Sequence, residues 1–478
     1  MLFRMLYDDK LAQASYLIGC QRTGQALVID PQRDVERYLA AAEKEGMKIS
    51  AITETHIHAD FLSGARELAE RTGGRLYLSD EGDADWKYQW LNQKQNGGKY
   101  DHQAVKQGDT FKVGNIQFEV LHTPGHTPEH ISFLVTDLGG GATAPMGIAS
   151  GDFVFVGDVG RPDLLETAAG QAGAKEQSAR VLFQSIQQFK NLPDYLQVWP
   201  AHGSGSACGK ALGAVPQSTV GYEKRFNVAI NNAGNESRFI ETILHGQPEP
   251  PLYFARMKRE NKMGPALLGH LPQPQPVAAK ALGEIAGKKI ALLDTRSWAE
   301  FAQGHLPGAL FAPLDNSFPT VAGSYVEAGT PIYLIVPEEQ VAEAVTDLIR
   351  IGLDDIAGYV TPKVLREYAA SGGKLAASKT LDIKDLIHQI QNRSELILDV
   401  RRADEFEGGH LPGAVNIAHT RLLARLPEVP RRPLLVHCRT SNRSAYATAL
   451  LEKHGYDATM LAGGFDAWSE AGGEIVSH

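Results

Sequence analysis

His56, His58 and Asp60 stand at alternate positions in "THIHADFLSG" (55–64), two imidazoles and a carboxylate at a spacing that suits a metal ion. The next residue is Phe61, which has no lone pair to offer. More such side chains follow in "HTPGHTPEH" (122–130), "ASGDF" (149–153), "FVFVGD" (153–158), "GRPD" (160–163) and "PAHG" (200–203). A second kind of chemistry centres on Cys438, in "PLLVHCRTSNRSAYATALLEKHG" (433–455). A cysteine between a strand and a helix start meets free backbone N–H groups and the positive end of the helix dipole. Arg439 and Arg443 add charge, so a reactive thiolate is expected there.

The elements that must hold these groups can be read from pattern. "ASYLIGC" (14–20) and "ALVID" (26–30) predict two strands, "DVERYLAAAEKEG" (34–46) a helix, and "ISAIT" (49–53) a buried strand that delivers His56 at its end. "SGARELAERTGG" (63–74) predicts a helix with Ser63 as N-cap and Gly73 as its stop. "DTFKVGNIQFEVLHTPGH" (109–126) predicts a hairpin, "EQSARVLFQSIQQFK" (176–190) a helix, and "YLQVWPAHG" (195–203) a strand running into a loop. Strands that repeatedly end in His or Asp predict a sheet edge that gathers a site.

With 478 residues the chain is too long for one core, and at roughly 150 residues per domain about three are expected. A net charge of −9 without a basic run argues against nucleic acid or an anionic membrane as partner. No stretch approaches the ~20 apolar residues of a membrane span. Three scattered cysteines, Cys20, Cys208 and Cys438, do not make a disulfide framework and fit a reducing cytoplasm. The Pro-rich stretch "GHLPQPQP" (269–276) predicts a linker.

Beyond it lies an internal repeat. "LLDTRSWAEFAQGHLPGA" (292–309) matches "ILDVRRADEFEGGHLPGA" (397–414), which predicts two copies of one α/β domain with a parallel sheet, over 278–375 and 378–478. The repeated Asp-x-Arg, the Gly-His-Leu-Pro-Gly-Ala turn and the Cys-Arg-x-x-x-Arg loop resemble the rhodanese family, which carries sulfur as a cysteine persulfide. The resemblance implies thiosulfate sulfurtransferase activity at Cys438, with Arg439 and Arg443 beside it. His305 and His410, in the repeated turns, are expected to shape the loops. In the first copy Pro337 is expected where Cys438 stands in the second, followed by Glu338 and Glu339, so that copy is expected to be a silent spacer or docking domain.

Residues 1–270 carry the His and Asp motifs in an order that resembles the metallo-β-lactamase fold, an αββα sandwich, and within it the glyoxalase II and persulfide dioxygenase branch. Glyoxalase-type hydrolases hold two zinc ions, the second through an Asp-His pair that here reads Asp60-Phe61. The resemblance therefore implies a mononuclear set, His56, His126 and Asp152, with one Fe(II) per chain and O2 as co-substrate. By pattern alone Asp158 serves as well as Asp152; the family's spacing to Arg161 favours Asp152. His58 and Asp60 are expected to orient ligands, with His58 open as a ligand. Arg161, Asp163, His202 and Cys208 are expected to contact substrate, Cys20 to lie in the core, His122 to be a sheet side chain, and His102 and His130 to be surface or packing residues.

The reading as a whole is a persulfide dioxygenase fused to a rhodanese. It would oxidise a low-molecular-weight thiol persulfide to sulfite and pass sulfane sulfur, as thiosulfate, through Cys438, in a homo-oligomeric cytoplasmic protein. The rival readings are a glyoxalase II-like thioester hydrolase with an appended rhodanese, and a sulfur carrier with an inactive metal domain.

Overall fold

The computed structural model describes residues 1–167, 173–286, 289–387 and 394–477. They fall into two compact units, Met1–His270 and Leu271–His478. The first unit holds two six-stranded sheets. One runs in chain order through Leu2–Asp8, Gln13–Cys20, Gln25–Ile29, Lys48–Thr53, Arg75–Ser79 and His102–Val105. The other lines up Ser218–Thr219, Gln197–Pro200, Gly147–Gly151, Ile131–Asp137, Ile116–His122 and Thr110–Val113.

Alternation along the strands explains how the layers stack. Ala14, Tyr16, Ile18, Cys20, Leu27 and Ile29 enter the core between the sheets, while Leu17, Ala26 and Val28 face the other way. That outer face is covered by helices Glu36–Lys44 and Ala65–Thr72, through Tyr38, Ala42, Leu68 and Ala69. Helices Ala174–Lys190 and Glu236–Leu244 cover the second sheet, through Leu182, Ile186, Phe189, Phe239 and Ile243. The result is an αββα sandwich with apolar residues on both faces of its inner strands. The helix predicted from Ser63 is capped by Gly64 instead, with Ser63 Oγ accepting from the Ala65 N–H at 3.0 Å, and it stops at a left-handed Gly73 as expected.

The second unit contains two five-stranded sheets with the same strand order, every pairing parallel. The repeat extends to side chains. Arg296 is bound to Asp294 and to the Gly304 carbonyl, as Arg401 is to Asp399 and Gly409. His305 stacks on Phe301 at 3.9 Å and His410 on Phe406 at 3.7 Å. Each imidazole Nδ1 lies 2.9 Å from the carbonyl of the ring it covers, so these histidines shape the turns as expected.

Strand register corrects one alignment. Asp294 pairs with Ile335 as Asp399 pairs with His437, so the residue matching Cys438 is Val336, and Pro337 matches Arg439. The first copy still lacks a nucleophile; it has an isopropyl group where the second has a thiol.

Of the two expectations for this copy, spacer and docking domain, its contacts favour docking. Its Phe311 packs on Tyr446, with ring centroids 5.8 Å apart, and its Tyr325 meets His419 edge-on at 6.4 Å. Lys453 donates to the carbonyls of Ile290 and Gly308. Tyr446 and Lys453 lie on Asn442–Lys453, the helix that starts behind Cys438. Removing 278–375 should therefore destabilise the remaining copy by ~3–5 kcal/mol, the scale of losing one large buried aromatic contact. Denaturant melting of 376–478 beside 271–478 measures it, and equal midpoints would restore the plain spacer.

Candidate functional site

Four loops build the metal pocket, each following the C-terminal end of a strand. His56 follows Lys48–Thr53, His126 follows Ile116–His122, Asp152 follows Gly147–Gly151, and His202 follows Gln197–Pro200. All four side chains are buried. Ligand atoms of His56, His126 and Asp152 lie within 4.8 Å of one another. Asp158 is elsewhere: its carboxylate accepts from the N–H groups of Val159, Lys210 and Ala211.

The hydrogen bonds set the tautomers. Thr55 Oγ1 donates to Asp30 at 2.9 Å, so it accepts from His56 Nδ1 at 3.0 Å. His126 Nδ1 donates to the Arg161 carbonyl at 3.1 Å and His202 Nδ1 to the Ala12 carbonyl at 3.0 Å. All three imidazoles thus turn Nε2 into the pocket, the atom that a metal takes. Burial, joined by neighbouring imidazoles, pushes His56 well below the usual histidine range, and burial lowers His126, so both are neutral near pH 7. Both oxygens of Asp60 and of Asp152, and His202 Nε2, are buried without a hydrogen-bond partner. Unsatisfied carboxylates in a buried pocket cost several kcal/mol unless a cation meets them, so these residues fit a metal.

His58 is set apart from this cluster. Its Nε2 lies 3.2 Å from Asp30 Oδ1. Burial alone would lower the imidazole, but Asp30, with Glu54 and Asp60, carries it up to about 9. A protonated His58 braces the loop. Phe61 is fully buried, with its ring 4.4 Å from that of His58.

Arg161 is wholly buried and forked onto Asp163 at 3.0 and 2.6 Å, with a third N–H on the Ala207 carbonyl at 2.8 Å. It anchors the loop that carries Cys208. The buried Cys208 thiol is pushed well above the usual range by burial and by Asp60 and Asp152. Ligand atoms of Asp60, His202 and Cys208 form a second cluster within 4.8 Å.

Four positioning residues escaped the sequence reading. Asp30 turns back at the end of its strand with φ +51, a left-handed conformation that Asp tolerates, and receives Thr55 and His58. His130, expected as a surface or packing residue, accepts the Asp152 backbone N–H on Nε2 at 3.0 Å and so fixes the main chain from which that carboxylate projects. Glu129 accepts the Ile57 N–H at 2.8 Å. Asn261 donates to the carbonyls of His58 and Phe61 and accepts from the Ser63 N–H, tying the first motif to helix Phe254–Met263. Gly151 is obligatory here: at φ +56, a Cβ would sit 2.6 Å from His130 Nε2.

In the second unit Cys438 is buried at the end of strand Leu434–His437, its Sγ 3.6 Å from Ser444 Oγ. Arg439 points to solvent and pairs with Asp466 at 3.1 Å. Arg443 forks onto Glu405 at 2.6 and 2.8 Å. Burial works against the charged form of Glu405, but Arg443 outweighs it and holds the carboxyl at about 2. This depressed acid adds stability above its ordinary value near 4.5, and loses it as pH falls toward 2. The stability gap between wild type and Glu405→Gln should therefore be constant above pH 5 and close as pH falls toward 2. Urea melts of 271–478 at several pH values measure it, and a gap that does not narrow would contradict the pairing.

The comparisons agree with this architecture. The model of the metallo-beta-lactamase superfamily matches residues 8–202, and that of the rhodanese-like domain matches 277–366 and 382–471. A solved metallo-beta-lactamase from Staphylococcus aureus is 44% identical, covers 76% of this chain and 99% of its own, and superposes with a TM-score of 0.67. A beta-lactamase hydrolase-like protein of Xylella fastidiosa is 28% identical over 56% of this chain and 61% of its own length. A hydroxyacylglutathione hydrolase of Hyphomonas neptunium is 29% identical over 57% of this chain and 92% of its own. The chain thus spans about three-fifths of the length of the first curated relatives it matches. It belongs to the metallo-beta-lactamase superfamily and carries two rhodanese-like domains C-terminal to that fold. The two domain types and the His/Asp cluster support an enzyme. Among the described residues, no helix is long and apolar enough to cross a membrane.

Proposed function

We propose that the first unit is a non-heme Fe(II) persulfide dioxygenase and that Cys438 is the nucleophile of a coupled sulfurtransferase. The observation that carries the reading is Phe61, a buried phenyl ring where a side-by-side pair of hydrolytic zinc ions would take a nitrogen donor. What remains, two neutral histidines and one carboxylate, is the donor set of mononuclear iron oxygenases. His56, His126 and Asp152 would hold the iron, which when bound would supply redox chemistry with O2 that zinc lacks.

The chain's own residues do the rest. Thr55 and the Arg161 carbonyl fix the tautomers of His56 and His126, and His130 fixes Asp152. His202 Nε2 lies 3.3 Å from Asp60 and 3.4 Å from Asp152, and the three together are placed to hold the persulfide proton. Burial of the pocket keeps bulk water from the reactive sulfur. The balance is RSSH + O2 + H2O → RSH + sulfite + 2H+. Sulfite then accepts the outer sulfur of a Cys438 persulfide, giving thiosulfate and the free thiolate, or the transfer runs in reverse. Two active centres on one chain raise the effective concentration of the shared intermediate. Three cysteines that are buried and free fit a cytoplasmic setting.

Thioester hydrolysis is the second reading, favoured by the likeness to the hydroxyacylglutathione hydrolase. Metal-free protein reloaded with Fe(II) or with Zn(II) separates the two. Persulfide-dependent sulfite release by the iron form alone is expected, whereas thioester cleavage by the zinc form without sulfite release would overturn the proposal.

A further inference from the structure

Both arginines beside Cys438 are matched by carboxylates, Arg443 by Glu405 and Arg439 by Asp466. Three other polar atoms at this end of the sheet are buried without a hydrogen-bond partner among the described residues: the hydroxyls of Tyr325 and Tyr446 and the Nδ1 of His419. Tyr446 lies on helix Asn442–Lys453, three residues after Arg443 and so on the same face. His419 opens the turn His419–Arg421, just beyond the C-terminal end of strand Val415–Asn416. Tyr325 comes from the first copy, as the last residue of helix Phe318–Tyr325. The His419 ring stands between the two phenols, 6.4 Å from that of Tyr325 and 6.0 Å from that of Tyr446.

All three groups can donate. Burial, with Tyr446 adding, holds Tyr325 well above the usual tyrosine range. Burial, opposed by Ser317 and aided by Asp315 and Cys438, pushes Tyr446 up to about 12. Both phenols therefore keep their protons near neutral pH. Burial, joined by Arg443 and opposed by Glu405, pushes His419 down to about 3, so its ring is neutral and carries one N–H. Cys438, Arg443 and Glu405 are thus the neighbours of this group. Buried hydrogen-bonding atoms are rarely left unpaired, so either a ligand or an internal water meets these.

We propose that Tyr325, Tyr446 and His419 form the acceptor subsite of Cys438 and bind the oxygens of a small sulfur oxyanion, so that the copy without a nucleophile completes the site of the copy that has one. The inference rests on the sulfurtransferase reading of Cys438 and adds to it the residues that select the acceptor. Sulfite attacks the outer sulfur of the Cys438 persulfide through its own sulfur. A new S–S bond forms as the bond to Sγ breaks, and the electron pair leaves on the Cys438 thiolate, so no outside oxidant or reductant is needed. Meanwhile the oxygens of sulfite accept charge-assisted hydrogen bonds from the two hydroxyls and the imidazole. Cyanide, a linear acceptor without oxygen, gains far less from them.

The test is single-turnover discharge of Cys438 persulfide in the full-length chain, kept without air so that no O2 chemistry competes. The protein is charged with a low-molecular-weight persulfide, freed of excess, and mixed with sulfite or with cyanide; thiosulfate or thiocyanate is then followed, with Cys438→Ser as the blank. Tyr325→Phe keeps the ring and removes one oxygen, and should slow discharge to subsaturating sulfite ~10-fold while leaving discharge to cyanide within ~2-fold. Saturating sulfite should restore the parent rate, since the hydroxyl holds the acceptor and takes no part in breaking the S–S bond. Tyr446→Phe should behave alike. Equal slowing with both acceptors, or no slowing with either, overturns the proposal and leaves the hydroxyls to an internal water. A Cys438 that takes up no sulfur contradicts the sulfurtransferase reading and the subsite with it, and is seen before any acceptor is added.

Discussion

Asp152→Ala should leave a folded protein that no longer retains the metal of its first cluster and no longer consumes O2 with a persulfide. The carboxylate touches both halves of the pocket, 3.5 Å from His126 Nε2 and 3.4 Å from His202 Nε2, and neither oxygen has a hydrogen-bond partner to lose. Its removal takes away a third of the donor set and the only anion among those three side chains. The loss in affinity should exceed the ~10–100-fold that removing a supporting partner costs. Stability should suffer little, because an unsatisfied buried carboxylate is itself a burden. Asp158→Ala is the contrasting variant. It frees the N–H groups of Lys210 and Ala211, so it should loosen the Cys208 loop while the metal stays bound. Metal content after gel filtration reads both, and metal lost from Asp158→Ala but kept by Asp152→Ala would show that the ligand was misassigned.

Cys438→Ser should reduce thiosulfate-linked sulfur transfer to background and leave O2 consumption with a supplied persulfide nearly intact. An alcohol is a far weaker nucleophile than a thiolate near neutral pH, and Ser444 and Arg443 cannot change that. The residues named for oxygen chemistry all belong to Met1–His270, and Cys438 belongs to Leu271–His478. Val336→Cys follows from the corrected register: it puts a thiol at the matching position of the first copy. It should not restore transfer, because Glu338 and Glu339 follow it, and Val341 stands where the helix of the second copy has Arg443. Loss of O2 uptake in Cys438→Ser would refute the separation of the two chemistries.

The sequence was legible where chemistry is carried by residue type at a strand end. His56, His126, Asp152 and His202 all follow strands, as "ISAIT" and "YLQVWPAHG" foretold, and period-two alternation foretold the buried inner strands. It was illegible where one group is aimed by another far along the chain. Asn261 reaches back to His58 and Phe61 across some two hundred residues, and nothing in "ENKMG" announces it. Asp30 reads as the end of a strand followed by Pro31; only its positive φ and the three groups it receives show its role. The pairing of Arg443 is hidden for the same reason: its partner Glu405 lies within the repeated motif and reads as a helix residue. Pro337 falls opposite Cys438 only when "PIYLIV" and "PLLVH" are taken as equivalent strands, and the register that selects Val336 leaves no mark in composition.

The central claim is that the His56, His126, Asp152 cluster runs oxygen chemistry on a persulfide. The most direct measurement is O2 uptake by the full chain, loaded with Fe(II) without air and given a low-molecular-weight persulfide, with sulfite and thiosulfate quantified at the end. The account predicts one O2 consumed per persulfide sulfur appearing as sulfite, with uptake absent from His126→Ala and Asp152→Ala. Sulfite-free turnover with no O2 uptake, alongside thioester cleavage by the zinc-loaded protein, would contradict it.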